Sequence, residues 1–441
     1  MSANPSASAP CALPGTPLSE MRAGIDACVH CGFCLQACPT YLTLDDENDS
    51  PRGRIVLMRS AYEGALSLDD PSLHTHIDQC LGCRACETAC PSGVPYGQLL
   101  EATRATIAAR HRQPFVARLV LAIFRNQRLL GLALWFARIV RRFGIADILA
   151  ALPGRAGFAM AMLASTTRKF QGGRYGASAR AADRGSAVLQ RGCVMDGLFR
   201  ETNLATERTL RMNGYNIHEA PAPRCCGALH AHAGDLDGAR ELAKKTIVAF
   251  EATKADYIVT NAAGCGAMMK EYVHLLAKEP DWSERAERIS LRVRDVTELL
   301  AAAGPRKAGP LHLRVTYDAP CHLLHAQRIA SPPLQVIAAI EGVELVPIAG
   351  AEQCCGSAGI YNLVEPEVSA RVLAPKLNEI KLSMADVVVT GNPGCLMQIG
   401  AGLYKSGLGT RAVHPVDLLD EAYATGIGPT YVATTSRPPS R

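Results

Sequence analysis

Residues 28–39 read C-V-H-C-G-F-C-L-Q-A-C-P, and residues 80–91 read C-L-G-C-R-A-C-E-T-A-C-P. Both have the spacing C-x2-C-x2-C-x3-C-P. Three thiolates carried two residues apart wrap one face of an iron–sulfur cubane, while the fourth points away and ligates a second cluster. This reading assigns Cys28, Cys31, Cys34 and Cys90 to one [4Fe–4S] cluster. It assigns Cys38, Cys80, Cys83 and Cys86 to the other. Structural zinc takes its ligands in two pairs and needs neither triplets nor a closing C-P. The duplicated run therefore favours two cubanes over zinc or disulfides.

Around these runs, residues 18–110 form a unit of their own. Forty-one residues separate Cys38 from Cys80, more than a compact bacterial ferredoxin requires. The insertion contains S-P-R-G-R-I-V-L-M-R-S-A-Y-E-G, where Ser50 can cap a helix and Pro51 can occupy its first turn. A helical ferredoxin-type domain follows, with helices instead of hairpins flanking the clusters. Arg52, Arg54 and Arg59 lie on this insertion, either near the cluster charge or on a solvated helix face. Residues 1–17, rich in Ser, Ala and Pro, are expected to be disordered, with Cys11 incidental. They lack the basic start and apolar segment of a secretory signal, and clusters of this type belong in a reducing space, so a cytoplasmic location is expected.

Composition sets further bounds. The 441 residues allow two or three domains, and a net charge of +5 is too small on that length to argue for a nucleic-acid partner. The 17 cysteines are grouped as metal ligands are, not as in a secreted disulfide scaffold. No apolar run reaches the length of about 18–20 residues that a spanning helix needs. Residues 111–185 read as a basic, helical connector that ends in a Gly-, Ala- and Arg-rich linker over 171–185. Val116, Leu119, Val120, Ile123 and Phe124 make a helical stripe, and a second stretch repeats the theme around Trp135 and Phe136. The stripe is expected to pack on the chain's own core, with docking to a membrane or a partner as the alternative.

Residues 186–305 and 306–428 are an internal repeat, followed by a flexible tail over 429–441. Cys193 to Cys225 spans 32 residues and Cys226 to Cys265 spans 39. The second unit has 33 from Cys321 to Cys354 and 40 from Cys355 to Cys395. A-D-Y-I-V-T-N-A-A-G-C at 255–265 matches A-D-V-V-V-T-G-N-P-G-C at 385–395. β-rich runs at Ala187–Gln190, Asp256–Thr260, Leu313–Tyr317 and Asp386–Thr390 alternate with helical patterns at Gly238–Thr253 and Glu367–Leu382. Such alternation predicts a mostly parallel, helix-covered sheet in each unit, with the cysteines beyond the strand ends. The fold class is thus α + α/β: a helical two-cluster domain followed by tandem α/β cysteine-rich domains.

Each unit's four cysteines suit a further cluster, a zinc, or a redox disulfide. Adjacent Cys-Cys is awkward for one compact cubane, because neighbouring side chains diverge. His230, His232, His322 and His325 stand nearby, able to bond a cluster sulfur, a quinone oxygen or a backbone carbonyl. No G-x-G-x-x-G follows a strand and no P-loop is present, so no catalytic or nucleotide-binding residue is assigned. A chain with clusters and no site for hydride chemistry reads as a conduit, the organic step belonging to a flavin elsewhere.

The C-C-G units resemble the cysteine-rich domain that occurs twice in the heterodisulfide reductase catalytic subunit and in respiratory dehydrogenase subunits. There five cysteines, ending C-x-x-C, can hold a non-cubane cluster; here Met268 and Gln398 stand at the final positions. From about Pro17 to Thr425 the chain resembles the iron–sulfur subunits of bacterial glycolate oxidase (glycolate dehydrogenase). The stretches that carry this are 80–97, 191–203, 225–235, 354–363 and 389–395. The resemblance implies two FAD-type flavoprotein partners that oxidise glycolate to glyoxylate, with electrons passed on to the membrane quinone pool. Peripheral association with the cytoplasmic face of the inner membrane goes with the docking alternative for the connector. Related subunits of lactate or glycerol-3-phosphate dehydrogenases, a self-contained heterodisulfide or quinone reductase, and a zinc-bound scaffold are the alternatives.

Overall fold

A computed structural model describes residues 11–166, 184–222 and 224–426. The first ten residues, the tail expected over 429–441, and the linker expected over 171–185 except for its last two residues lie outside the described residues. Helices α1 (Arg22–Asp26), α2 (Pro39–Leu44), α3 (Pro51–Tyr62), α4 (Pro71–Asp78), α5 (Ala85–Ala89) and α6 (Tyr96–Ala108) build the cysteine-run domain. The insertion between the runs folds as α2, α3 and α4. Ser50 caps α3 by accepting from the Gly53 amide at 3.0 Å, with Pro51 in the first turn, as the sequence predicts. Ile25, Ile55, Met58, Leu73, Ile77 and Leu99 bury together between these helices. The disorder expected through residue 17 does not extend over residues 11–17. Leu13 joins this core, and the Ala12 amide donates to the Tyr62 carbonyl at 2.8 Å.

The connector forms α7 (Phe115–Arg125), α8 (Gln127–Arg142), α9 (Ile145–Ala150) and α10 (Gly154–Ser165). Asn126 caps α8 by accepting from the Arg128 and Leu129 amides, and the axes of α7 and α8 meet at 107°. Packing of the apolar stripe on the chain's own core, expected from the sequence, holds only in part: Val120, Ile123 and Phe124 are half-buried, whereas Val116 and Leu119 are exposed. Only Ala117 and Leu121 of α7 and Leu130 of α8 are buried. Phe115, Leu119, Leu132, Trp135, Phe136 and Phe143 stand exposed, Phe115 by 73% and Phe136 by 61%. The reason is geometric: the perpendicular helices rest on the molecule by one narrow edge, fixed by Arg141 donating to Thr166 Oγ1 at 2.7 Å and to the Leu198 carbonyl at 3.0 Å. Among the described residues no single helix is long and apolar enough to cross a membrane.

Each repeat unit is a four-stranded, wholly parallel sheet. The first contains β1 (Ser186–Leu189), β2 (Asn216–His218), β3 (Tyr257–Thr260) and β4 (Val293–Asp295), in the order β2-β1-β3-β4. The second contains β5 (Leu313–Tyr317), β6 (Val343–Leu345), β7 (Val387–Val389) and β8 (Arg411–Val413), in the order β6-β5-β7-β8. Central strands such as Val387-Val388-Val389 are fully buried, as strands covered by helices on both faces must be. The two units share one core: Ala187 and Val259 of the first cluster with Val315, Val387 and Val389 of the second. Helices 200–212 and 415–426 cross this boundary and are pinned by Arg208 to the buried Asp420 at 2.5 Å and by Asn213 to Tyr423 at 2.8 Å.

Candidate electron-transfer site

The two cysteine runs adopt the same loop. At the second position after the first cysteine, His30 and Gly82 have φ of 54° and 60°; at the fourth, Gly32 and Arg84 have 87° and 63°. This is the left-handed region that glycine enters without strain, and each run places one glycine there. Cys28, Cys31 and Cys34 line one cavity together with Cys90, and with Cys86, from the other run. The first-run loop lies at the surface, with Cys31 exposed and Val29 and Phe33 each 67% exposed.

Cys38 leaves the first loop and sits inside the domain with Cys80, Cys83 and Cys86, all buried. Burial pushes the Cys83 and Cys86 thiols well above the ordinary thiol range, and neighbouring cysteines add to it. Cys34 is pushed up to about 11, first by burial. A soft metal that takes the thiolate form offsets that cost, so eight thiols gathered in one domain fit two iron–sulfur clusters. Arg54 is buried beside this inner group. It bonds Asp49 at 2.9 Å, Thr40 Oγ1 at 3.0 Å and the His76 carbonyl at 2.5 Å. Burial opposes its charge, but Cys80, Tyr96, Cys38 and Asp49 around it hold it protonated. The solvated-face alternative therefore fails for Arg54. Arg52, by contrast, is half-exposed, paired to Glu47 at 2.6 Å beside the first loop. If the crossed ligation holds, Cys38→Ser should strip the second run's cluster and leave the first run's spectrum, checked by iron content and EPR of anaerobic protein. Loss of the first run's signal alone would contradict it.

The repeat cysteines stand where the sequence places them. Cys193 follows β1, Cys265 sits in the first turn after β3, and Cys321 and Cys395 follow β5 and β7. Gly227 and Gly356, closing each C-C-G, have φ of 94° and 84°; a side chain at Gly356 would stand 2.6 Å from the Ser369 carbonyl. All of the thiols are free. Cys321 and Cys354 lie 4.0 Å apart, with Cys355 and Cys395 next in line. In the first unit Cys193, Cys225, Cys226 and Cys265 form the same chain of neighbours. Gln398 offers no fifth ligand. It is fully buried, accepting from Asn362 at 2.9 Å and donating to Ser369 at 2.9 Å, while Met268 is buried.

The two sets differ in their neighbours. Cys83, Leu81 and Ala85 of the second run bury against Cys354, Tyr361, Val368 and Val372, with Cys321 packed alongside. In the first set Cys226 and Cys265 pack around Ile258, Met269 and Tyr272 of their own unit, and Cys265 also packs on the cluster of Met195, Phe199 and Leu396, the last from the second unit. Matched spacing could not reveal this, because it arises from how three units dock. Three of the four histidines have partners other than sulfur. His230 pairs with Asp235 at 2.7 Å and His232 with Glu101 at 2.9 Å; His325 bridges Thr88 at 2.9 Å and the Glu352 carbonyl at 3.1 Å. The His322 ring stacks on His232 at 5.0 Å, and burial lowers its pKa to about 3, so it is neutral. Arg84, which the sequence did not single out, ties the second loop to the first unit by bonding both Glu87 and Glu271.

A protein whose fold joins a two-cluster domain to paired C-C-G units is an iron–sulfur electron carrier, and comparison agrees. The profile of 4Fe-4S dicluster domains matches residues 24–94, and that of the cysteine-rich domain matches 187–270 and 315–400. The probable glycolate oxidase iron–sulfur subunit of Bacillus subtilis is 38% identical over 90% of this chain and 93% of its own. The glycolate oxidase iron–sulfur subunit of Escherichia coli is 31% identical over the same shares. Lactate utilization protein A of Geobacillus kaustophilus is 30% identical over 52% of this chain and 95% of its own. The chain belongs to the family of glycolate oxidase iron–sulfur subunits.

Proposed function

We propose that this chain is the electron-carrying subunit of a glycolate-oxidising complex. It receives electrons from two FAD-type flavoprotein subunits that convert glycolate to glyoxylate, and it delivers them to a quinone. The observation that carries the reading is the order of the two cysteine groups, one at the surface beside exposed Val29 and Phe33, the other buried against the second repeat unit. When bound, a [4Fe–4S] cluster takes up and releases single electrons, which connects two-electron flavin chemistry to the next acceptor. The chain's residues do the rest. The first loop offers the flavoprotein an apolar contact, Arg54 compensates the charge of the inner thiolates, and Arg84 fixes the inner loop to the repeat. The crossed ligand sets are part of this proposal, and the repeat cysteines remain a candidate further metal or redox site.

Membrane association belongs to the same reading. α7 to α9 present an apolar face flanked by Arg118, Arg128, Arg138 and Arg142, the pattern of a helix lying in an anionic lipid surface. A substrate alternative has one specific support, the likeness of half of this chain to lactate utilization proteins. The test uses the complex on anionic vesicles, offered glycolate or lactate, with quinone reduction followed. Glycolate is expected to drive reduction and lactate not, and added salt to release the complex from the vesicles as screening weakens the arginine contacts. Turnover on lactate alone would move the assignment, and salt-insensitive or absent binding would remove the membrane contact.

A further inference from the structure

A cavity of about 180 Å³ opens between the dicluster domain, the base of α7 and both repeat units, the first contributing Leu229, His232 and Ala233. Its buried wall is made by Cys80, Leu81, Ile107 and Tyr361. Cys80 carries a thiol of the inner cluster group, so the cavity reaches a residue of that group. Ala117 of α7 also lines it, and exposed Pro114 lies at the outer side, next to exposed Phe115 and Val116. The cavity thus has one end on the inner redox group and the other on the uncovered apolar helix face. No motif announces it, because its walls come from four separate parts of the chain.

We infer that this cavity takes the ring of a lipid-soluble quinone, whose tail lies along the apolar face of α7 and α8. The inference rests on the proposed delivery of electrons to a quinone and adds where that happens. A small, mostly apolar pocket with a few polar groups suits a substituted ring. Arg112 lines the cavity exposed, and His74, held by the Leu68 carbonyl at 2.6 Å, stands edge-on to His111 at 4.5 Å. Arg112 is the donor for a quinone oxygen, since the Nε2 of His74 is taken by Leu68 and that of His111 by Asp69 at 2.8 Å, and the two rings wall the site. Reduction to the hydroquinone takes two electrons, released by oxidation of the flavoprotein's substrate, and two protons, so that each C=O becomes C–OH. The protons come from water at the open side. Glu365 also lines the cavity, and burial, with Asp78 adding, raises its carboxyl above the usual range, which suits it to carry a proton.

The test is photoaffinity labelling of the complex on vesicles with an azido-quinone, followed by peptide mapping. Label is expected on residues 107–117, 229–233 and 358–365 and should be displaced by unlabelled quinone. Ala108→Trp fills the cavity from α6, and Val364→Phe fills it from the opposite unit. Each should raise the apparent KM for quinone about tenfold or more, a loss of roughly 1.4 kcal/mol, and suppress the label. Iron content shows that each variant holds its clusters, and two variants on different elements guard against one misfolding. Label elsewhere, with quinone KM unmoved in both variants, would overturn the site and leave the proposed function standing. A parent complex that reduces ferricyanide from its substrate but neither reduces nor binds quinone would instead overturn the acceptor reading, and this inference with it.

Discussion

In the assembled complex, Cys83→Ser is expected to leave substrate-dependent flavin reduction at the parental rate while quinone reduction falls to background. Cys83 is buried in the inner group and packs against Cys354, so it stands between the surface loop and everything beyond it. The substituted hydroxyl is a poor ligand for a soft metal site. The two steps are separated by single-turnover flavin bleaching and by steady-state quinone reduction, after gel filtration has confirmed that the subunits still associate. With the complex intact, loss of flavin reduction would place this chain inside the substrate site.

Arg54→Met is expected to destabilise the dicluster domain by about 3–5 kcal/mol, the usual cost of removing one partner from a buried ion pair. Asp49 is only 3% exposed and would keep a carboxylate with His76, at 3.1 Å, as its remaining side-chain ion partner. Arg54→Lys should recover only part of this, because one ammonium cannot reproduce a planar fork that serves Asp49, Thr40 and the His76 carbonyl together. Urea melts of anaerobic protein, read alongside iron content, measure the effect. Parental stability and iron content in Arg54→Met would show that Arg54 neither holds the domain nor compensates the inner thiolates.

What the sequence makes legible follows from the range of each constraint. Cluster ligation is a short-range demand with fixed distances, so two identical runs reveal both the domain and its thiols. Strand and helix periods are local as well. The run Leu313–Tyr317 is the observed β5, and the other three predicted strands differ by a residue or two at their ends. The Ser50 cap on α3 is equally local. Long-range docking is not written in any such pattern. Nothing in the matched spacings of Cys193 and Cys321 says that only the second set meets Cys83. Periodicity gives α7 an apolar face without saying what covers it, and Arg54 looks like any solvated arginine until Asp49 and the cysteines close around it. The Ser- and Pro-rich start conceals Leu13, which joins the domain core while the Ala12 amide bonds the Tyr62 carbonyl.

The claim that this chain conducts electrons but does not oxidise the substrate has a direct test. The isolated, cluster-loaded protein is mixed anaerobically with glycolate, and its visible iron–sulfur absorbance is followed before and after the flavoprotein partners are added. The absorbance should hold steady with glycolate alone and bleach once the partners are present. Bleaching by glycolate in the absence of any partner would contradict the account.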